Sequence, residues 1–399
     1  MTALSIGVFT YSTRPRGSVV HAAHLAEALH DAGQRVTLYA LDKEGGGFFR
    51  PLRVPFVRVP ARSAEPGSDA LIAQRIAETA DFIAAARPGH QLVHAQDCLV
   101  ASGLIAARAA LQGAVLCRTV HHVEEFESPY LQACQARSIR EADLVLSVSA
   151  ATRADVLRCY GRESLRVESG VDYARFAQAG GGAELRQRLG ISVHAKLLLS
   201  VGGVEPRKNS QIMLEAFARA HQAQPELRWL IAGGASIFEH AAYRAAFDAQ
   251  LAALPASTRA AIIRLGVLDD RDMPALYAAC DGLLHASLHE GFGLCVLEAM
   301  AANRPVLVSQ GAPFDEYLDD TCAMRVDPRD VAALTDGIGQ LCAPDPRRVE
   351  AARARALQFD WARCAARHVA LYRSALSGPR ARSAVCSGAG GLPARVREV

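Results

Sequence analysis

Two doubly wound α/β domains facing each other across a cleft are predicted by three observations. Short apolar runs alternate with helical stretches through the first half of the chain. The same alternation restarts near residue 196. Turn residues separate the units, and glycines close several of the strands. Strand–helix alternation of this kind builds a parallel sheet covered on both faces. A length of 399 residues suits two domains of ordinary size. With aromatics at only 6%, Ala, Leu and Val do most of the filling, as buried parallel strands under Ala-rich helices require.

The elements follow in order. Leu4–Phe9 reads as the first strand and Val19–Leu29 as a helix ended by Gly33. Further strands are expected at Val36–Leu41, Gln91–His94, Ala114–Val120 and Leu144–Val148. Helices between them are expected at Leu71–Ala86, at Leu99–Leu111, through Arg140, and at Ala150–Tyr160. Glu168–Gly182 has little periodicity and reads as the connector between a first domain, 1–172, and a second, 173–377. The second domain then runs through strands at Lys196–Val201, Leu227–Ala232, Ala261–Leu265, Gly282–His285 and Pro305–Ser309. Its helices are expected at Ser210–Ala220, Phe238–Leu251, Met273–Ala279, Leu294–Ala301, Val331–Leu341 and Arg347–Leu357. Trp361–Leu376 is a final helix able to pack on either domain. The Gly-, Pro-, Ser- and Arg-rich residues from Gly378 onward are expected to be disordered.

Charge and cysteine usage exclude some classes. The formal charge is +3, and the tail arginines Arg380, Arg382, Arg395 and Arg397 against Glu398 account for it. The body is near neutral and has no long cationic stripe, which argues against nucleic acid. Ten scattered cysteines without a CxxC motif, behind a start that runs directly into a strand, point to reduced thiols in a cytoplasmic protein. No apolar run reaches the ~18 residues of a membrane span. Peripheral membrane contact stays open.

The most informative segment is His289-Glu290-Gly291-Phe292-Gly293-Leu294-Cys295-Val296-Leu297-Glu298, between a strand and a helix. Its glycines allow a sharp turn and close approach to a ligand, and the helix start offers N–H groups to a phosphate. Helical spacing would set the two glutamates roughly 12 Å apart, one for a sugar and one for a ribose. The second segment is Gly202-Gly203-Val204-Glu205-Pro206-Arg207-Lys208-Asn209. Here two glycines end a strand, and two cations stand ready to neutralise a diphosphate. In the first half, the loop Tyr11 to Ser18, with Arg14, Arg16 and Gly17, is placed to line the cleft but is no dinucleotide fingerprint. His121 and His122 follow a buried strand, and one of them should face the cleft. His94 and Asp97 follow the preceding strand; Asp97 either joins the cleft or caps the helix beginning near Leu99. His21 and His24 share a helical face, without the acidic partners of a metal site.

These residues resemble the family-4 retaining glycosyltransferases of the GT-B fold. The likeness covers nearly the whole chain and is strongest from Val201 to Tyr317, through "EPRKN", "LRWLIAGG" and the Glu290-x7-Glu298 element. Within that family the chain looks like a bacterial branch found in biosynthetic gene clusters. The resemblance implies a nucleotide-diphosphate sugar donor in the second domain, with a UDP-sugar favoured and a hexose-type sugar transferred. It implies Glu298 on the ribose, Glu290 beside the donor sugar, and the backbone of Gly291, Phe292, Gly293 and Leu294 on phosphate and sugar. It further implies Lys208 on the diphosphate, Gly17 near the phosphates, and His121 reaching the donor sugar. Arg207, Lys208, His121 and Glu290 form the implied catalytic set, with Gly202 and Gly203 beside the donor; Arg14, Arg16, His94 and Asp97 are left for the acceptor side. The acceptor is a small molecule, lipid or glycan. Cations take the place of a metal, and no cofactor is implied. The final helix is implied to cross back to the first domain. Three positions depart from the family pattern. Gly203 stands where many relatives carry Arg, the Gly17 loop lacks a double glycine, and the domain junction reads Ser169-Gly170-Val171-Asp172. Two other readings share the architecture: a nucleotide-sugar epimerase or hydrolase, and a binding module without turnover. A nicotinamide oxidoreductase is disfavoured by the missing glycine fingerprint.

Overall fold

The computed structural model describes residues 2–63, 68–234 and 240–377. Two fully parallel sheets organise it. The first has seven strands: β1 (Ser5–Thr10), β2 (Arg35–Asp42), β3 (Phe56–Pro60), β4 (Leu92–Ala95), β5 (Val115–Val120), β6 (Leu144–Ser147) and β7 (Leu165–Arg166), in the order β3-β2-β1-β4-β5-β6-β7. The second has six: β8 (Lys196–Val201), β9 (Leu227–Ala232), β10 (Ile262–Gly266), β11 (Gly282–His285), β12 (Val306–Ser309) and β13 (Met324–Val326), in the order β10-β9-β8-β11-β12-β13. Register is set by central apolar runs: Ile6 faces Val36 on one side and Leu92 on the other, and Leu199 lies between Leu230 and Leu283.

Both sheets are covered on both faces, so the central strands are buried throughout; every residue of β5, β11 and β12 is buried. Each fully buried Val, Leu or Ile contributes about 1.5–3 kcal/mol. The polar atoms that this burial traps are satisfied in place. The Trp229 Nε1–H donates to Ser200 Oγ at 2.9 Å, and that hydroxyl donates to the Leu284 carbonyl at 2.6 Å. Side-chain caps start the helices where the sequence offers Ser or Asp, as at Asp97, Ser128, Ser149 and Asp330.

Three strands escaped the sequence reading: β3, β7 and β13. The expected connector Glu168–Gly182 contains the short helix Tyr173–Ala177, capped by Asp172, and runs into a second, Gly182–Arg188. The helix expected over Leu99–Leu111 ends at Ala106 and tightens into a single turn, Arg108–Leu111. The helix expected from Phe238 is described from Ala241 to Ala252; Phe238 lies outside the described residues, as does the tail from Gly378. Nine free cysteines are described, eight of them buried and Cys159 exposed.

The last helix, Trp361–Ser377, returns to the first sheet. Its Cys364, Ala365 and Tyr372 pack into one cluster with Ile6, Val8, Leu25 and Leu92. Trp361 stacks on His24 with ring centroids 5.4 Å apart. The chain therefore passes between the two halves twice, and the two passages run together: Val171 is bridged to Asp360, and its N–H donates to the Phe359 carbonyl at 2.8 Å.

Strand order reverses between β1 and β4 and again between β8 and β11. In doubly wound sheets the ligand crevice opens at those points, beyond the carboxyl ends of the strands. The loops there carry Tyr11–Arg16 and Gln96–Asp97 in the first half, and Gly202–Asn209 and Ala286–Gly293 in the second.

Candidate active site

In the second half, β8 ends at Val201, Gly202 follows it, and one tight turn, Pro206–Lys208, brings Arg207 and Lys208 to the strand ends. Gly202 has φ 125°, and a Cβ there would lie 2.7 Å from Lys208 Cε, so only glycine lets the lysine stem cross. Asn209 fixes the turn: its amide donates to the carbonyls of Ala286 at 3.1 Å and Pro328 at 2.6 Å. Gly203 packs against the Gly234 carbonyl.

Three charged or polar side chains converge on one carboxylate. Lys208 Nζ donates to Glu290 Oε2 at 2.6 Å, His285 Nε2 lies 3.1 Å from the same oxygen, and Arg207 lies 3.7 Å from it. Arg207 Nε is 3.1 Å from Glu205. Burial pushes the Glu290 carboxyl upward, but Lys208, His285 and Arg207 outweigh it and hold the group well below the usual carboxylate range. Burial and Lys208 push His285 down to about 4, so a neutral ring donates to Glu290. Glu290 is therefore an anion at neutral pH whose lone pairs already hold the two cations expected at a diphosphate.

Beyond Glu290, the helix Leu294–Ala301 starts after Gly293. Only the last four of the eight steps from Glu290 to Glu298 are helical, so the even helical spacing expected between them does not apply. Glu298 accepts from the Tyr277 hydroxyl at 2.6 Å. Burial raises its carboxyl, against the Tyr277 hydrogen bond and Arg175. The Phe292 side chain stacks on Tyr317, and its carbonyl accepts the Tyr317 hydroxyl at 2.6 Å. Leu294 likewise sits against the core. What this segment offers a ligand is backbone, in the first turn of a helix where Val296 N–H donates to the Gly293 carbonyl at 3.0 Å and the N–H groups before it have no carbonyl one turn back.

The first half meets this loop directly. A Cβ on Gly291 would lie 1.9 Å from the His121 carbonyl oxygen, so backbone touches backbone across the cleft. Gln96 Oε1 is shared by His21 Nδ1 at 3.1 Å and His121 Nε2 at 3.0 Å. With that oxygen as acceptor both rings present an N–H to it, and His121 Nδ1 carries the lone pair. Burial, then His21 and Arg118, hold His121 well below the usual histidine range, so its ring is neutral. Gly17 opens the helix Gly17–Asp31 with free space above it.

Three acceptor-side expectations change. His94 is fully buried, and its ring is taken up by Tyr372 at 2.7 Å and Thr119 at 2.7 Å. It joins the returning helix to the first sheet and does not reach the cleft. Asp97 caps the helix Cys98–Ala106, accepting from Val100 N at 2.9 Å and from Tyr11 N at 3.0 Å. Arg14 is exposed and paired with Glu44. Four participants were missed: His285, Glu205, Tyr277 and Gln96. Two of them carried a signal: Glu205, inside the Glu205-Pro206-Arg207-Lys208-Asn209 run, and Gln96, inside His94-Ala95-Gln96-Asp97 at a strand end. Among the described residues no group of three or more His, Cys, Asp or Glu is arranged to hold a metal ion, and no helix is long and apolar enough to cross a membrane.

Two parallel sheets facing across a cleft, with a charged switch-point loop meeting a histidine strand end, define the GT-B class. Known proteins place the chain within it. The model of the glycosyl transferases group 1 matches residues 183–356, and that of the glycosyl transferase 4-like domain matches residues 16–169. O-antigen chain mannosyltransferase B of Escherichia coli is 30% identical over 275 residues, 64% of this chain and 69% of that one. D-inositol 3-phosphate glycosyltransferase of Corynebacterium efficiens is 29% identical over 67% of this chain, an alignment that spans 63% of the relative. Anabaena HepE, solved with UDP and glucose, superposes with a TM-score of 0.75 at 21% identity, over 93% of this chain and all of that one. Sucrose-phosphate synthase of Thermosynechococcus elongatus does so with 0.75 at 20%, over 92% and 98%. The chain belongs to the group 1, family-4-related glycosyltransferases.

Proposed function

We propose that the chain moves a hexose-type sugar from a UDP-sugar to a hydroxyl acceptor, with retention at the anomeric carbon. Residues 173–377 without the returning helix form the donor side; residues 1–172 with that helix form the acceptor side. The observation that carries this reading is the convergence of Lys208, Arg207 and His285 on Glu290, at a helix start that touches His121 from the other half. The solved relative that holds UDP and glucose supports the choice of donor.

In this reading the donor diphosphate meets Lys208, Arg207 and the N–H groups that follow Gly291, and Glu298 receives the ribose hydroxyls. The acceptor oxygen bonds to the anomeric carbon as the bond from that carbon to the diphosphate oxygen breaks. The acceptor proton passes to the departing diphosphate, whose charge the two cations stabilise. Glu290 holds Lys208 in place and meets sugar hydroxyls; it is not a nucleophile. Neutral His121 hydrogen-bonds the sugar. Closure of the halves keeps water from acting as acceptor.

Thermal stabilisation by a panel of UDP-, GDP- and ADP-sugars and free nucleotides, with and without magnesium, tests the reading. Selective stabilisation by the UDP series, equal without magnesium, is expected. No stabilisation by any nucleotide would remove the donor assignment, and a strict magnesium requirement would remove the role of Arg207 and Lys208.

A further inference from the structure

The first half holds a charge that donor chemistry does not use. Among the described residues two arginines are more than nine-tenths buried, Arg75 and Arg118, at 8% and 5% exposure. Arg75 faces Glu78. Arg118 has no carboxylate within ion-pair distance among the described residues. It donates from a terminal nitrogen to the carbonyl of the adjacent Thr119, and its Nε is sealed from solvent without an acceptor. A buried guanidinium in that condition has lost hydration without recovering it in partners.

Its position is informative. Arg118 lies on β5 between Leu116 and Val120, which share the cluster beneath the helices Cys98–Ala106 and Pro129–Arg140. Alternation puts Arg118 on that same face. Its charge is felt by Asp97 and Cys98 at the head of the first of those helices. Tyr11 packs beside Cys98, and its N–H is held by Asp97. Tyr11 and Arg16 lie on the loop that follows β1 at the switch point, so this cluster borders the cleft; the Tyr11 phenol also lies in the field of Arg16, of Asp97 and, from the opposite half, of Glu205. Arg16 repeats the pattern of Arg118: its Nε is buried without an acceptor, and it forms no ion pair among the described residues. Asp97 makes no ion pair with either among the described residues; its two oxygens accept from the N–H groups of Val100 and Tyr11.

We propose that the acceptor carries an oxyanion, phosphate or carboxylate, and that Arg118 and Arg16 bind it beside Tyr11, turning a neighbouring acceptor hydroxyl toward the donor sugar. This rests on the glycosyltransferase reading and names the substrate class of its acceptor side. The two guanidiniums are left unpaired because their counter-ion arrives with the substrate.

The test uses the full chain saturated with UDP, so that the diphosphate site is filled. Inorganic phosphate and, separately, succinate are titrated by calorimetry against wild type, R118M and R16Q. At least one anion is expected to bind wild type and to weaken roughly tenfold or more in both variants, with UDP affinity unchanged. Which anion binds separates a phosphorylated from a carboxylated acceptor. R118M is expected to melt at or above the wild-type temperature, because it replaces an uncompensated buried charge by an apolar chain of similar size. Equal anion binding by R118M, no anion binding by UDP-loaded wild type, or a clearly lower melting temperature for R118M would each overturn the proposal. If UDP itself fails to bind, the donor reading falls, and the difference between wild type and R118M in the anion titration still judges Arg118.

Discussion

The His121 carbonyl oxygen occupies the place where a side chain on Gly291 would have to be, 1.9 Å from an ideal Cβ. One residue comes from each half, so the smallest added group separates the two halves rather than disturbing either alone. Gly291→Ala is expected to lower kcat by on the order of 10²-fold, through misplacement of the two half-sites, while UDP binding to the second half changes little. Steady-state kinetics beside UDP calorimetry measures both; an unchanged kcat would mean that the contact is absent from the working state.

Lys208 and Glu290 form a buried pair, and removing one partner differs from removing both. Glu290→Gln leaves Lys208 without its nearest counter-charge and is expected to destabilise the fold by about 3–5 kcal/mol. Lys208→Met leaves Glu290 with Arg207 and His285, so its effect on stability should be smaller. Its effect on kcat should be about 10²–10³-fold, from lost stabilisation of the leaving diphosphate. The double variant should recover much of the stability lost in Glu290→Gln. Denaturant unfolding of all four proteins closes the cycle, and strict additivity would show that the pair is not coupled.

Gln96 holds the rings of His21 and His121 from one oxygen. Replacing it by Glu places a carboxylate against both rings and favours their protonated forms. The wild-type kcat should be flat from about pH 6 to 8, because His121 titrates well below that range. Gln96→Glu should add an acid limb inside that range, and Gln96→Leu should lower kcat without one. Identical pH profiles for wild type and Gln96→Glu would end the idea that Gln96 sets the state of His121.

Acid should unfold this protein early. His21 is pushed down to about 3 by burial and His368, and His24, His285 and His368 to about 4, chiefly by burial. Folded values below the unfolded value of about 6.5 mean that the unfolded chain binds more protons in between. Stability is therefore complete above about pH 6.5 and falls as pH drops toward 4, by about 2 kcal/mol for each such histidine at pH 5. Asp97 runs the other way. Burial raises it to about 6, so it gains stability as pH falls below that value, by about 1 kcal/mol at pH 5. The histidines win by number. Melting temperatures across pH 7 to 5 should drop steeply below pH 6.5; a flat profile would show that these rings are not buried neutral.

Much of this was legible because parallel strands buried on both faces announce themselves as apolar runs closed by glycine. The strands that escaped are the ones without that signature. Leu165 and Arg166 are exposed, Met324–Val326 is three residues long, and Phe56–Pro60 follows Pro55 and ends on Pro60, prolines that read as turn. In the site, Arg207, Lys208 and Glu290 stood out because charge beside glycine at a strand end is unusual. Their partners did not. His285 closes β11 and reads like any buried residue until register places it beside Glu290. His94 was misassigned for a related reason: alternation along β4 does not say which face looks at the cleft, and the residue that claims its ring, Tyr372, lies 278 positions away.

The paired passages at Val171 and Asp360 make the second half a guest inserted into its host. Residues 173–358 enter and leave through one doorway, with the Val171 N–H on the Phe359 carbonyl as its latch. Any swing of the guest bends both passages at the same place, which favours rotation about a single axis over sliding or twisting. The guest could be cut out as one uninterrupted length of chain. The host could not, because its sheet would lose the helix that buries Tyr372 and holds His94. An isolated first half would need Asp172 spliced directly to Asp360, with the doorway closed by a short turn.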